Sequence, residues 1–242
     1  MDLSKDPEQI RGLFSCIAPV YDQMNRLFSW GLDGSWRRRV VDLLELAGHE
    51  EVLDICCGTG ELTFALAKRL NKGGSVVGID FTREMLVRAK EKARRNNYQK
   101  ICSFRLADAL NLPFANGSFD VVTNAFGVRN LSDPKTGLQE MYRVLRPKGK
   151  FACLELSQPE NRWFLGLYRR YFAGLLPLIG YVILKQRGPY DYLPASVWNF
   201  QNKAGFSALI GQCGFQNVQV HSLWGERWRS FWPVNPVQVE LV

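Results

Sequence analysis

The chain has 242 residues, enough for one α/β domain with insertions, and its formal net charge of +8 points to an anionic neighbour, either nucleic acid or lipid headgroups. Its six cysteines form no C-x-x-C pair and have no histidine nearby, which speaks against a zinc site and against a disulfide framework. The charged N-terminus Met1-Asp2-Leu3-Ser4-Lys5-Asp6-Pro7 lacks the apolar core of a signal peptide, and the longest uncharged run, Tyr171 to Leu184, falls short of the ~20 residues of a spanning helix. A cytoplasmic protein that does not cross a bilayer is expected.

From Ile10 to Leu44 apolar residues recur at helical spacing on either side of a Gly31-Leu32-Asp33-Gly34 break, which predicts an N-terminal helical cap over residues 1–47. Within it, Pro19-Val20-Tyr21-Asp22-Gln23-Met24-Asn25 sets a phenol, a carboxylate and an amide close together. The run Arg37-Arg38-Arg39 reads as a solvated helix face. Strand one is expected over Val52–Cys56, a helix over 61–70, strand two over Ser75–Asp80, and a second helix capped by Thr82. Ile101–Ala107 reads as strand three, and Phe119–Asn124, after an Asn116-Gly117 turn, as strand four. Asp133-Pro134 opens a helix to Leu145, and Pro147-Lys148-Gly149-Lys150 turns the chain into strand five, Phe151–Leu156. Such alternation builds a mostly parallel, doubly wound α/β sheet whose ligands lie at the carboxyl ends of the strands.

Past strand five the alternation stops. Residues 158–200 form an insertion rich in aromatics, Trp163, Tyr168, Tyr192 and Trp198 among them, interleaved with Arg162, Arg169, Arg170, Lys185 and Arg187. The mix suits a lid that meets lipid headgroups and a long apolar substrate as well as it suits a buried helical pair. Asn202–Cys213 reads as a helix and Gln216–Leu223 as a strand, while the tail, 224–242, has no clean period.

The chemistry concentrates at Val52-Leu53-Asp54-Ile55-Cys56-Cys57-Gly58-Thr59-Gly60-Glu61-Leu62, an apolar run that breaks into a Gly-rich turn and then a helix. Gly58 and Gly60 let the backbone turn sharply and let a ligand approach the free N–H groups of the helix start. Asp80 closes strand two about 20 residues on, where an acidic side chain can take ribose hydroxyls, so the two features point to an adenosine-containing cofactor. A dinucleotide fingerprint would need Gly or Ala at position 63, which is Thr63, so NAD is disfavoured. The strand-end rule also gathers Asp108, Asn124, Arg129, Asn130, Glu155 and Ser157, with Asp108 set either to bond an adenine amino group or to cap a helix. His49 falls at the opposite rim and His221 inside a strand, which argues against a histidine-based hydrolase.

The order Asp54, Cys56, Gly58, Gly60 resembles the D-x-G-x-G-x-G motif of Rossmann-like class I S-adenosylmethionine (SAM) methyltransferases, with Cys56 in place of the first Gly. Further segments are similar to the ubiquinone/menaquinone biosynthesis C-methyltransferase family over residues 13–223. They are Phe14-x-x-Ile17-Ala18-x-x-Tyr21-Asp22-x-x-Asn25 with Trp36-Arg37, Ala125-Phe126-Gly127-Val128-Arg129-Asn130, Glu140-Met141-Tyr142-Arg143-Val144-Leu145-Arg146-Pro147, Leu154-Glu155-Leu156-Ser157 and Tyr192-Leu193-Pro194-x-Ser196.

The resemblance implies a single methyltransferase domain over 1–242, SAM as co-substrate without a metal, and a polyprenyl quinol, demethylmenaquinol, as acceptor. It sets SAM contacts on Thr59, Asp80, Asp108 and Ala109, with Asp54, Gly58, Gly60, Phe81, Met85 and Asn124 completing the expected cofactor site. Arg129, with Asn130, Tyr21 and Asp22, is expected to stabilise the developing phenolate and relay its proton through water. The plainer reading of Arg129 is a salt bridge to Glu155. Ala125 stands where some relatives carry a serine that contacts SAM, and the tail shares nothing with their Gly-rich final strand. Transient contact with an anionic membrane surface at the cytoplasmic face is expected through the insertion, nucleic acid is not expected, and a homodimer is left open. The alternatives are a SAM methyltransferase for another lipid or small aromatic, the ubiquinone-pathway benzoquinol included, and a non-catalytic scaffold or RNA-binding protein of the same fold.

Overall fold

The computed structural model describes residues 6–71, 73–156, 170, 188–221 and 234–240. Val52 to Ile55 are buried without a break, which suits a strand covered on both faces, and β1 (Glu51–Ile55) lies in the middle of the sheet. β2 (Ser75–Asp80) and β4 (Phe119–Ala125) flank it in parallel, with Leu53 opposite both Val77 and Val122. β3 (Cys102–Leu106) pairs with β2 and β5 (Leu145–Leu156) with β4, again in parallel. β6 (Val218–Val220) and β7 (Val234–Glu240) complete the order β3-β2-β1-β4-β5-β7-β6, and β7 runs antiparallel to both neighbours.

β7 corrects the reading of the tail as a stretch without assignable structure. Every residue of β7 pairs with β5, from Val234 opposite Leu156 to Glu240 opposite Lys150, so backbone pairing defines this strand where no apolar period announced it. β5 also starts earlier than expected. Leu145 pairs with Phe119 and Lys150 with Val121, so Arg146 to Gly149 bulge out between the two pairings, with Lys148 at a φ of 63°. Residues 157–169, 171–187 and 222–233 lie outside the described residues; with them go Ser157, most of the aromatic and basic side chains of the expected insertion, and the aromatic part of the tail.

Among the described residues, the α-helices α1 (Pro7–Ile17), α2 (Tyr21–Phe28) and α3 (Asp33–Leu43) form the cap, followed by α4 (Glu61–Ala67), α5 (Arg83–Arg95), α6 (Pro134–Val144), α7 (Gly188–Trp198) and α8 (Lys203–Gln212), with a 3-10 turn over Val128–Asn130. Asp133 caps α6 as its sequence suggests, accepting from the backbone N–H of Lys135 and of Thr136. Thr82 does stand at the N-cap of α5, but its hydroxyl makes no cap bond; its own N–H is taken by Asp80 Oδ1 at 2.8 Å, so the acid that ends β2 also sets the start of α5.

The strand period of two divides the core between the two faces of the sheet. Leu53, Ile55, Val122 and Phe151 pack with Leu138 and Met141 of α6 and Ile210 of α8. Val52, Val76, Val121 and Leu154 pack with Val40, Val41 and Leu44 and with Leu62 and Leu66 of α4. Both faces are thus covered among the described residues, and β1 to β4 end on one side of the sheet at Ile55, Asp80, Leu106 and Ala125. Among the described residues no helix is long and apolar enough to cross a membrane.

Candidate active site

β1 ends where Cys56 takes a left-handed φ of 54°, one residue earlier than its sequence suggests, and Gly58 and Gly60 follow at 55° and 88°. Such a backbone costs a non-glycine residue about 1–3 kcal/mol, which the surroundings of Cys56 must offset. At Gly60 a side chain has no room, because a Cβ would fall 2.9 Å from the Phe64 ring. Asp80 pins the turn: Gly58 N–H donates to its Oδ2 at 2.9 Å, while Cys57 N–H donates to Ile79 O at 2.8 Å. Burial raises the pKa of Asp80, and the N–H groups of Thr82 and Gly58 partly oppose it. Beneath the turn Asp54 is 1% exposed and accepts from the hydroxyls of Thr63 at 2.6 Å and Thr123 at 3.0 Å. Burial outweighs those bonds and pushes its pKa up to about 6.

Among the described residues, two cavities open at this turn and a third lies beside them, lined in part by α1 and α2. Gly58, Asp80, Phe81, Met85, Asp108 and Ala109, all expected at the cofactor, border a cleft of about 940 Å³ whose further walls include Ile79, Leu110 and, from α1, Ile10 and Phe14. Asp54 and Thr59 border a smaller polar chamber of about 320 Å³ together with Arg37 and Glu61. A third chamber of about 460 Å³ is walled by Leu13, Phe14, Ile17, Met24, Phe28 and Leu193, with Tyr21, Asn25, Arg129 and Tyr192 as its polar groups. Tyr21 borders all three spaces, and Phe14 borders both the cleft and the apolar chamber.

The end of β4 and the turn after it contribute to the lining of all three. Asn124, expected to touch the cofactor, is fully buried behind the wall instead: its Nδ2 donates to Ile55 O at 2.7 Å and its Oδ1 accepts from the N–H groups of Gly127 and Val128. Asp108 borders the cleft, and its Oδ1 also accepts from Leu110 N–H at 2.9 Å, a local turn rather than a helix cap. Arg129 is 5% exposed and ion-paired with Glu155, its Nη1 2.5 Å from Oε1. The same Nη1 donates to Phe126 O at 2.6 Å, and Nε donates to Ser196 Oγ at 3.4 Å. Burial works against the charged guanidinium, but Glu155 beside it prevails and the pKa of Arg129 rises. Asn130 Nδ2 donates to Phe126 O at 3.1 Å, and Tyr192 Oη donates to Asn130 Oδ1 at 2.9 Å.

Asp22 is placed differently from its expected partners Tyr21, Arg129 and Asn130. Its Oδ1 accepts from Thr59 Oγ1 at 2.5 Å and its Oδ2 pairs with Lys92 Nζ at 2.5 Å, so it ties α2 to the Gly turn and to α5. Arg37 corrects the reading of 37–39 as a solvated face: it is 5% exposed, ion-paired with Asp33, and its guanidinium carbon lies 5.5 Å from the centre of the Phe126 ring. The signal was the spacing of Trp36, Arg37, Val40, Val41 and Leu44, all of them buried, which puts Arg37 on the inner side of α3 while Arg38 and Arg39 are exposed. Tyr192 is the other residue that strand-end reasoning did not gather, since it reaches the apolar chamber from α7.

The chain has relatives among known proteins. The sequence model of the ubiE/COQ5 methyltransferase family matches residues 2–228. The chain is 41% identical over 221 residues to a protein of Geotalea daltonii named ubiquinone/menaquinone biosynthesis C-methyltransferase UbiE, covering 91% of this chain and 94% of that one. It is 40% identical to a protein of Lactiplantibacillus plantarum named demethylmenaquinone methyltransferase, covering 86% and 88%. Among solved structures, a SAM-dependent methyltransferase from Aquifex aeolicus superposes with a TM-score of 0.62 at 19% identity, covering 85% of this chain and 89% of that one, a likeness of fold.

The carboxyl of Asp54 holds its proton more readily when folded, at about 6, than its ordinary value of 3.8. The stability this group contributes is therefore complete below its ordinary value and is lost as pH rises through about 6. Asp54→Asn is expected to remove that loss, so that denaturant unfolding shows the variant gaining about 3 kcal/mol on wild type between about pH 4 and pH 7. A difference that stays constant across this window contradicts the assignment.

Proposed function

The chain belongs to the ubiE/COQ5 methyltransferase family, and from that premise we propose that it uses SAM to methylate a ring carbon of a polyprenylated quinol, converting demethylmenaquinol to menaquinol. The observation that carries this reading is that the cleft and the apolar chamber adjoin, with Phe14 and Tyr21 lining both. A donor in one space and a ring in the other meet beside these two residues.

The cleft suits the donor. Ile79, Phe81, Met85 and Ala109 supply an apolar slot for adenine, and Asp80 stands at its edge with a carboxylate for the ribose. The polar chamber suits the amino-acid end of SAM, whose carboxylate would meet the guanidinium of Arg37. SAM supplies a methyl group on a sulfonium, and the methyl passes to carbon by in-line displacement, releasing S-adenosylhomocysteine. The residues must therefore hold the ring carbon at about 3–3.5 Å from the methyl and exclude water from both.

An aromatic carbon is a weak nucleophile, so the ring has to arrive reduced, as a quinol. A hydroxyl gives its proton to water, and the phenolate-like oxygen that results pushes electron density onto the ring carbon ortho to it as the C–C bond forms and the C–S bond breaks; the ring hydrogen then leaves as a proton, and the oxygen takes one back from water. Arg129 borders the chamber, while Glu155 lies behind it, so the cationic end of the pair faces the oxygen that becomes negative. Tyr21 lies where donor and ring meet and holds the ring edge. Asn130 fixes the turn, and Asp22 holds α2, and hence Tyr21, against the Gly turn. A polyprenyl tail is insoluble in water, so the substrate is drawn from a bilayer; the net charge of +8 favours an anionic surface at the cytoplasmic face.

Labelled SAM with short-tailed reduced naphthoquinols and benzoquinols tests the reaction. Label is expected on the demethylated naphthoquinol, and label confined to the benzoquinol or absent from both overturns the substrate assigned. With the naphthoquinol, Arg129→Ala is expected to lower turnover by about 10²-fold with SAM affinity unchanged, and to melt earlier because Glu155 is left buried and unpaired. Wild-type turnover in this variant contradicts the role of Arg129. Arg37→Met should weaken SAM about tenfold in calorimetry and leave adenosine unaffected; equal losses for both ligands rule out contact with the carboxylate. Sedimentation with anionic vesicles is expected at low salt and reduced at high salt, and its absence at both removes the membrane contact.

A further inference from the structure

We infer that Tyr192 receives a ring hydroxyl of the quinol, its phenol oxygen accepting the substrate O–H while its own proton goes to Asn130. The inference rests on the quinol reading above and adds to it the group that recognises the hydroxyl.

The direction of the bond between Tyr192 and Asn130 follows from their neighbours. Asn130 Nδ2 lies 3.1 Å from the carbonyl oxygen of Phe126, which can only accept, so the amide nitrogen faces Phe126 and the amide oxygen faces Tyr192. That oxygen cannot donate either. The hydroxyl of Tyr192, 2.9 Å away, is therefore the donor, and its oxygen is left with acceptor capacity; Tyr192 itself borders the chamber. Burial pushes the phenol pKa up to about 12, so the hydroxyl keeps its proton and serves as a relay of polarity and not as a base.

Among the other polar groups of the chamber, Tyr21, Asn25 and Arg129, the last has the opposite character. Arg129 has donors only and cannot accept from a neutral quinol, whereas an oxygen that gains negative charge suits it. Tyr192 and Arg129 thus serve two states of one oxygen, the first accepting its hydroxyl on arrival and the second facing it as it becomes phenolate-like. The donors run in one direction, from the quinol O–H through Tyr192 and the Asn130 amide to Phe126 O, and each polarises the next. α7 is built for this, since Tyr192 and Ser196 are one turn apart and reach Asn130 and Arg129 respectively.

The test uses the full chain with S-adenosylhomocysteine present and two probes that differ by one hydroxyl, 2-methyl-1-naphthol and 2-methylnaphthalene, with binding followed by calorimetry. Wild type is expected to prefer the naphthol about tenfold. Tyr192→Phe, which keeps the ring, is expected to bring that preference to less than about twofold with the affinities for the hydrocarbon and for S-adenosylhomocysteine unchanged. A preference that persists in Tyr192→Phe overturns the assignment while leaving the quinol reading in place. Failure of wild type to bind either probe overturns both.

Discussion

The turn from Phe126 to Asn130 holds a left-handed φ of 62° at Phe126, and the site depends on that turn staying put. The conformation costs about 1–3 kcal/mol. It is offset by a set of hydrogen bonds worth about 1 kcal/mol each: Phe126 N–H to Leu154 O, the N–H groups of Gly127 and Val128 to Asn124, and Arg129 and Asn130 onto Phe126 O. Gly127 also has to be glycine, because a Cβ there would come within 2.5 Å of the Cβ of Cys56. The two left-handed turns, one closing β1 and one closing β4, are thereby locked face to face. Ala125, Phe126, Arg129 and Asn130 then wall different spaces from one short segment.

The cap completes what the sheet edge begins. Asp22 reaches Thr59 and Lys92, and Ser15 donates to Glu84 Oε2 at 2.8 Å, so α1 and α2 are tied to the Gly turn and to α5 by polar contacts at two points. Ile17 and Ala18 pack on Met85 between them. This places Phe14 and Tyr21 over the carboxyl ends of the strands, where both line the cleft and the apolar chamber at once.

How much of this the sequence disclosed depends on the kind of signal. β1, the Gly turn and Asp80 were legible because an apolar run, two glycines and an acid at the next strand end each have a local cause. The helices α5 and α6 were legible for the same reason, although the bond that starts α5 comes from Asp80 and not from Thr82. Asn124 was assigned to the cofactor because a position at a strand end does not tell whether a side chain turns up to the ligand or back to Ile55. Arg37 was hidden by its neighbours: three consecutive arginines look solvated, yet one of them shares the inner face of α3 with Trp36, Val40 and Val41. β7 is held by its ladder to β5, a long-range pairing with no imprint on local periodicity. The link from Tyr192 to Asn130 joins residues far apart in the chain, and the family-type pattern held both ends without showing that they meet.

The account turns on a donor and a reduced ring meeting where Phe14 and Tyr21 line both the cleft and the apolar chamber. The most direct measurement is a single-turnover reaction of the wild-type chain with methyl-labelled SAM and one short-tailed demethylated naphthoquinone, offered once as the quinol and once as the oxidised quinone, with the carbon that gains the label identified by carbon NMR. The account predicts label on the ring carbon beside a hydroxyl with the quinol and none with the quinone. Equal labelling of both redox forms, or label on an oxygen, would contradict it.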